Sequence, residues 1–490
     1  MTGHQASPAR AGLPAPPAAT AHPHDPAGHP AIGRRPADLP PAAARKKTGL
    51  YAPVLLGASA VGTMSVSPIF GNGDIVTGVR GTTDGDVIVT GSHAKADGTN
   101  NTLPFLYDGP LTSSAEDNGF HALTPPFPGF DNGTGTGTFY GPDTSTYNPD
   151  TIPAGQVRAV GSYRNGDGVF NHGMIYLGPV SGGGTWTTID VPTDGSNTVG
   201  GVRACPAGQV RAVGSYRDGD GVVNHGMIYL GPVSGGGTWT TIDVPRDGSN
   251  TAGGVRACPS GQPGCMVMDT IAHSTMGNLV VGNYDLNLGN GVSGNAFIYN
   301  MSTGQYTLLQ LGGSLASGTT LYGIWQNGGP GSPNYTLAGG SSAHLSSLKN
   351  QRAFLMNYNE RTGRFGPPRF YSYGNAPAAL THFDGITKVP GGFNLATISS
   401  VRQSSTALQP SMAFVPATGG NWPLFGRATW YPIDVAGSSL CTTPPATSCS
   451  MVTANTVYQN QVMGLYVQQQ QSDSGSVSVP GTYLATVPVP

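Results

Sequence analysis

Two nearly identical stretches concentrate oxygen ligands in this sequence: RNGDGVFNH at 164–172 and RDGDGVVNH at 217–225. The second sets Asp218, Asp220 and Asn224 in a calcium-loop order, and the first sets Asn165, Asp167 and Asn171 likewise. Calcium takes roughly six to eight oxygens, and the acid that usually closes such a loop is missing. Asp167, Asp218, Asp220 and Asn224 therefore form a partial calcium set. The same Gly, Asn and Asp residues also suit a hairpin turn with solvated acids. No other cofactor is suggested. His172 and His225 follow each stretch at the head of an apolar strand, where a packing or turn role competes with that of base or ligand. Trp186, Trp239 and Trp430 share one strand position; packing within a repeat competes there with a sugar-stacking platform. For catalysis the inventory is thin. A paired-carboxylate glycosidase needs two converging acids, yet Glu116 and Glu360 are the only two Glu and many Asp sit in Gly-rich turns. No G-x-S-x-G, H-E-x-x-H or P-loop pattern occurs. No catalytic residue is assigned, and the enzyme question stays open with the balance against it.

Cysteines point to a compartment. Cys258 and Cys265 bracket PSGQPG, Cys441 and Cys449 bracket TTPPATS, and both pairs lead into Met-Val. Equivalent placement in two units predicts two loop-closing disulfides and an oxidising environment. Cys205, the counterpart of Cys258, is expected to be free.

The elements that must position these residues are strands. Gly numbers 75 of 490 residues, charged residues make up 10%, and Lys occurs five times. Surface helices need more Glu and Lys than that. Residues 207–259 repeat 154–206 at an offset of 53, differing only at Asn165/Asp218, Phe170/Val223, Thr193/Arg246 and Val199/Ala252. A period of this size with short Val/Ile/Thr/Tyr runs bounded by Gly, Asn and Asp marks propeller blades. VRAVGSY (157–163, 210–216) has relatives at 87–93, 279–284, 336–342, 394–400 and 462–467. HGMIYLG (172–178, 225–231) has relatives at 103–109, 295–301, 352–358, 412–418 and 482–488. TWTTIDV (185–191, 238–244) recurs at 429–435. The expected fold is an all-β single propeller of about seven four-stranded antiparallel blades, with six as the alternative. Blades are expected to start near 87, 157, 210, 279, 336, 394 and 462. Strands at 462–488 are expected to pair with strands near 61–80, closing the ring from both termini.

Residues 1–47 are rich in Pro, Ala and His and predict a disordered tail. Residues 48–60 read either as a signal-type apolar segment, after Arg45, Lys46 and Lys47, or as a first strand. The propeller itself is expected over 61–490.

The repeats resemble the bacterial extracellular repeats named for a His-Ala-Phe motif. Their order VGSY…NHGMIY…TWTTIDVP matches, with His172 and His225 in place, while Ala296-Phe297, Ala353-Phe354 and Ala413-Phe414 keep Ala-Phe without the His. The resemblance implies a secreted, propeller-like protein with no catalytic residues to carry over.

A net charge of −2 with no basic stripe after residue 47 argues against nucleic acid, and no apolar run is long enough for a membrane span. The functional expectation is an extracellular or cell-surface protein, alternatively periplasmic, with a binding or structural role. A monomer is expected, meeting a glycan or protein ligand through its loops. The alternative is a secreted propeller hydrolase or lyase acting on polysaccharide. Two or three acids with an Arg or His in the central funnel would favour the enzyme; Gly, Thr and Ser there would favour binding.

Overall fold

The computed structural model describes residues 65–488 apart from short intervening stretches, among them 166–170, 191–196, 218–222, 259–263 and 434–445. The tail at 1–47 and the segment at 48–60 lie outside the described residues. The described chain is all β, with a short 3-10 turn at Ala252–Gly254. It forms seven antiparallel sheets of four strands, the outermost strand broken in two of them and the innermost in a third.

Blade 2 shows the pattern: Thr136–Thr144, Val157–Arg164, His172–Gly178 and Thr185–Thr188 pair in that order. The strands starting near 87, 157, 210, 279, 336, 394 and 462 are thus the second strands of their blades. An inner strand precedes each one. These inner strands are Ile75–Gly81, Thr136–Thr144, Asn197–Cys205, Met266–Met276, Thr319–Asn327 and Thr381–Val389 for blades 1 to 6. In blade 7 the inner position is filled by Ala446–Met451 and Thr456–Tyr458. Inner strands of successive blades touch in order, and blade 7 touches blade 1, so the circle closes around an axis.

Beyond the one expected near 61–80, the inner strands went unrecognised in the sequence because their axis-facing residues vary from blade to blade. The second strands are buried on both faces and must keep an apolar, small-residue pattern. Seven apolar clusters hold the ring, one between each pair of neighbouring blades. Val160, Ile175 and Ile189 of blade 2, for example, meet Val210, Met227 and Tyr229 of blade 3. A single blade leaves both faces wet, so stability belongs to the stack rather than to any sheet.

Closure uses both ends of the chain. Ser65–Pro68 pairs with Gly475–Thr486 as the outer strand of blade 7, in register from Ser65↔Thr486 to Pro68↔Tyr483. The expected pairing reaches no further. Ile75–Gly81 turns away and becomes the inner strand of blade 1. The seam between blades 7 and 1 adds hydrogen bonds to its apolar cluster: Thr482 Oγ1 donates to the Asp74 carbonyl at 2.6 Å and accepts from Val76 N–H at 3.2 Å.

Candidate functional site in the axial channel

Each inner strand carries a β-bulge at one level of the ring. The pairing skips Thr77, Tyr140, Gly200, His273, Tyr322 and Asp384 in blades 1 to 6. In blade 7 the break between the two inner segments puts Asn455 at the matching place, where its N–H donates to the Met463 carbonyl at 2.9 Å. A bulge re-aims a side chain and bends the strand.

The strand opposite explains the glycine in the VxGSY-type motif. A Cβ on Gly161, Gly282 or Gly339 would collide with the carbonyl of Thr138, Ile271 or Thr320, two residues ahead of the bulge. Gly91 and Gly464 meet Ile75 and Thr453 in the same way.

Five of the seven bulge residues line one cavity of about 750 Å³: Thr77, His273, Tyr322, Asp384 and Asn455. Trp325, Tyr458, Arg80 and Arg211 complete its chemical character. The wall along blades 4 to 6 is a connected polar network. Asn283 Oδ1 accepts from Leu321 N–H at 2.8 Å, which orients the Asn283 amide to donate to His273 Nε2 at 3.1 Å. The His273 ring lies 4.3 Å from Tyr322, and Tyr322 meets the edge of His382 at 4.6 Å. His382 then bonds Asp384 through Nδ1 at 2.7 Å and Thr320 Oγ1 through Nε2.

Burial pushes the His273 pKa down to about 4, with His382 adding a smaller push. That ring is therefore neutral near pH 7 and accepts at Nε2. Burial also raises Tyr322, helped by Asp384 and Asp285. Asp285 is raised by burial and then by Asp269. Neutral acceptors, a protonated phenol and one paired carboxylate thus face the cavity.

Of the residues singled out from sequence, those that are described lie outside this cavity. Asp167, Asp218 and Asp220 fall outside the described residues. Asn224 Oδ1 accepts from Arg217 Nε at 2.9 Å, and its amide donates to Asp269 Oδ1 at 2.8 Å. No group of three His, Cys, Asp or Glu side chains able to hold a metal ion occurs among the described residues.

The His of the repeat motif is a structural pin. His172 Nδ1 bonds Asp190 Oδ2 at 2.9 Å while its ring stacks on Tyr163 at 4.9 Å. His225 repeats this with Asp243 at 2.6 Å and Tyr216 at 5.1 Å. The Tyr and His of two successive strands and the Asp just past the outer strand thus lock one corner of a blade. Trp186 packs on Phe139 and Tyr176, Trp239 on Tyr229, and Trp430 on Phe383. Cys258 and Cys265 are bonded, both buried between blades 3 and 4. Cys441 and the side chains of Cys205 and Cys449 lie outside the described residues.

His273, Tyr322 and Asp384 escaped sequence reasoning because a bulge is a property of pairing, not of one strand. The faint signal was the Gly of each second strand, which marks where the neighbouring chain comes close.

No protein-family model matches the sequence, and no curated protein matches it. Similar solved structures include a catalytically inactive virginiamycin B lyase from Staphylococcus aureus with quinupristin. That match has 10% identity over 87% of this chain and 99% of that one, at TM-score 0.37. The GH93 α-L-arabinofuranosidase of Fusarium graminearum with arabinobiose matches at 12% identity, 70% and 91% coverage, and TM-score 0.32. A post-proline cleaving enzyme from Rickettsia typhi matches at 9% identity, 84% and 49% coverage, and TM-score 0.38. Within its described residues, this chain is a seven-bladed β-propeller.

Proposed function

We propose that this chain is a secreted or surface-exposed binding propeller that takes a saccharide ligand into its axial cavity. One observation carries the reading: four blades aim a bulged residue, and blade 7 its Asn455 at the strand break, into the same space of about 750 Å³. That volume lies within the range of small-molecule sites. Its wall mixes aromatic faces (Tyr322, Trp325, Tyr458) with Thr77, Asn278 and Asn455, the combination that holds a ring by stacking and by hydrogen bonds. The Cys258–Cys265 bond supports an oxidising compartment. Asp384 is the one carboxylate among the described lining residues, so the two-acid arrangement of a glycosidase has little support here.

A catalytic reading keeps one observation of its own. The Asp384–His382–Thr320 chain beside Tyr322 has the connectivity of a proton relay. The two readings separate by calorimetric titration with oligomers of glucose, xylose and galacturonate, followed by chromatography of the mixture. Saturable heat with intact oligomers, lost in Trp325→Ala, supports binding; cleaved oligomers support catalysis. No heat with any oligomer rejects the saccharide reading.

A further inference from the structure

The duplicated blades contain an internal control on one arginine. Arg158 in blade 2 and Arg211 in blade 3 occupy the same place in the 53-residue repeat. Arg158 is fully buried and lies opposite Asp143 in register, with Nη2 donating to Asp143 Oδ2 at 2.7 Å. In blade 3 the residue opposite Arg211 is Arg203. Two arginines directly opposite repel, so Arg211 has no carboxylate across the strand pair. Its guanidinium borders the axial cavity instead. There Nη1 donates to Thr275 Oγ1 at 3.1 Å and to the Gly277 carbonyl, both in the blade 4 wall. Its Nε is buried and has no hydrogen-bond partner among the described residues, as is also true of Nε and Nη1 of Arg158, so the two arginines differ in the cross-strand carboxylate and in the place on the cavity wall.

The acids nearby are already engaged. Glu360 accepts from Tyr335 at 2.9 Å and from Asn278 at 3.1 Å. Asp384 is bonded to His382 through Oδ1 alone, its Oδ2 being buried without a partner among the described residues. Arg80 of blade 1 lines the same cavity. A guanidinium fork left with a buried, unsatisfied donor is suited to a planar or tetrahedral oxyanion.

We propose that the cavity selects acidic saccharides, with a carboxylate or sulfate group of the ligand held by Arg211 and the sugar rings held by the aromatic wall. This rests on the saccharide-binding reading above and adds the charge of the ligand to it.

The test is calorimetric titration of the full chain with galacturonate trimer, galactose trimer and inorganic sulfate, at low and at physiological salt. The acidic trimer is expected to bind at least about tenfold more tightly than the neutral one and to weaken with salt. Arg211→Gln should remove that advantage and its salt dependence while neutral binding changes less than about twofold. Arg211→Lys, which keeps the charge but not the fork, should keep the salt dependence and lose part of the affinity. Equal affinity for both trimers, unaltered by Arg211→Gln, would overturn the charge selection and leave saccharide binding standing. Sulfate binding as tightly as the acidic trimer would reduce the site to a free-anion site and overturn the saccharide part. No heat from either trimer would overturn this proposal together with the reading beneath it. Circular dichroism of both variants checks that the fold persists; if Arg211→Gln does not fold, Arg211→Lys decides by the same comparison.

Discussion

His273 is held in a state that acid disturbs. Asn283 is fixed by the Leu321 amide and so offers its N–H groups to His273 Nε2. A protonated ring would turn Nε2 into a donor facing a donor. With the folded pKa at about 4 and the unfolded value near 6.5, the unfolded chain binds the extra proton first as pH falls. Stability is therefore expected to drop between about pH 6.5 and pH 4. The loss attributable to His273 is roughly 2 kcal/mol after allowance for its partial exposure. Urea denaturation across that range should show this slope, and His273→Gln should flatten it. An unchanged slope in the variant would place the titrating group elsewhere. Glycine carries a second residue-scale expectation. Gly282→Ala drives a methyl into the Ile271 carbonyl and the Phe297 ring, and should cost about 2 kcal/mol or more. Gly294→Ala meets only ordinary contacts, the nearest being Asp285 Oδ1 at 3.4 Å, and should cost well under that. Equal losses in the two variants would undo the account of the bulge.

At the scale of the element, one segment adopts two structures. Residues 197–205 read NTVGGVRAC and form the inner strand of blade 3. Residues 250–258 read NTAGGVRAC, yet contain the 3-10 turn at Ala252–Gly254, because Met266–Met276 occupies the inner position of blade 4. The Cys258–Cys265 bond ties this displaced copy to the start of that strand. Context, not propensity, selects the conformation. This limits what the sequence shows. The seven second strands and the third strands were legible because burial on both faces imposes one pattern, and the outer TWTT-type strands, half-buried to exposed, because the duplication repeats them. The inner strands and the channel residues were not, since facing an axis imposes no shared residue type. Gly200 illustrates the point, giving blade 3 no side chain at the bulge level where blade 4 has His273. Loss of the Cys258–Cys265 bond, in a paired Cys→Ala variant, should cost about 2–3 kcal/mol by loop entropy. Alkylation without reductant should count one free thiol, assigned to Cys205. Three would keep Cys258–Cys265 and reject a Cys441–Cys449 bond, and five would reject both.

The described residues form a circle whose last joint is made from distant parts of the chain. Six blades are built from consecutive strands, but blade 7 takes its outer strand from Ser65–Pro68 and the rest from residues after 445. Without that strand, the edge of Gly475–Thr486 would stand open, and an unpaired edge invites pairing with another chain. The joint also ties blade 1 to blade 7, through Gly73 N–H to the Pro480 carbonyl at 2.8 Å and Asn455 Nδ2 to the Val76 carbonyl at 3.2 Å. Because each blade is stable only against its neighbours, loosening one joint should weaken the entire ring rather than melt one blade. A chain beginning after Pro68 loses the four paired residues but keeps Phe70, which packs in the cluster between blades 7 and 1. It is expected to lose about 2–4 kcal/mol, at roughly 1 kcal/mol for each backbone hydrogen bond. Unfolding should remain a single transition by calorimetry, and the shortened chain should be more prone to associate. A synthetic peptide spanning 61–70, added in excess, should restore part of the lost Tm by occupying the open edge. An unaltered Tm in the shortened chain, or a separate early transition for one blade, would show that the terminal strand does not close the ring.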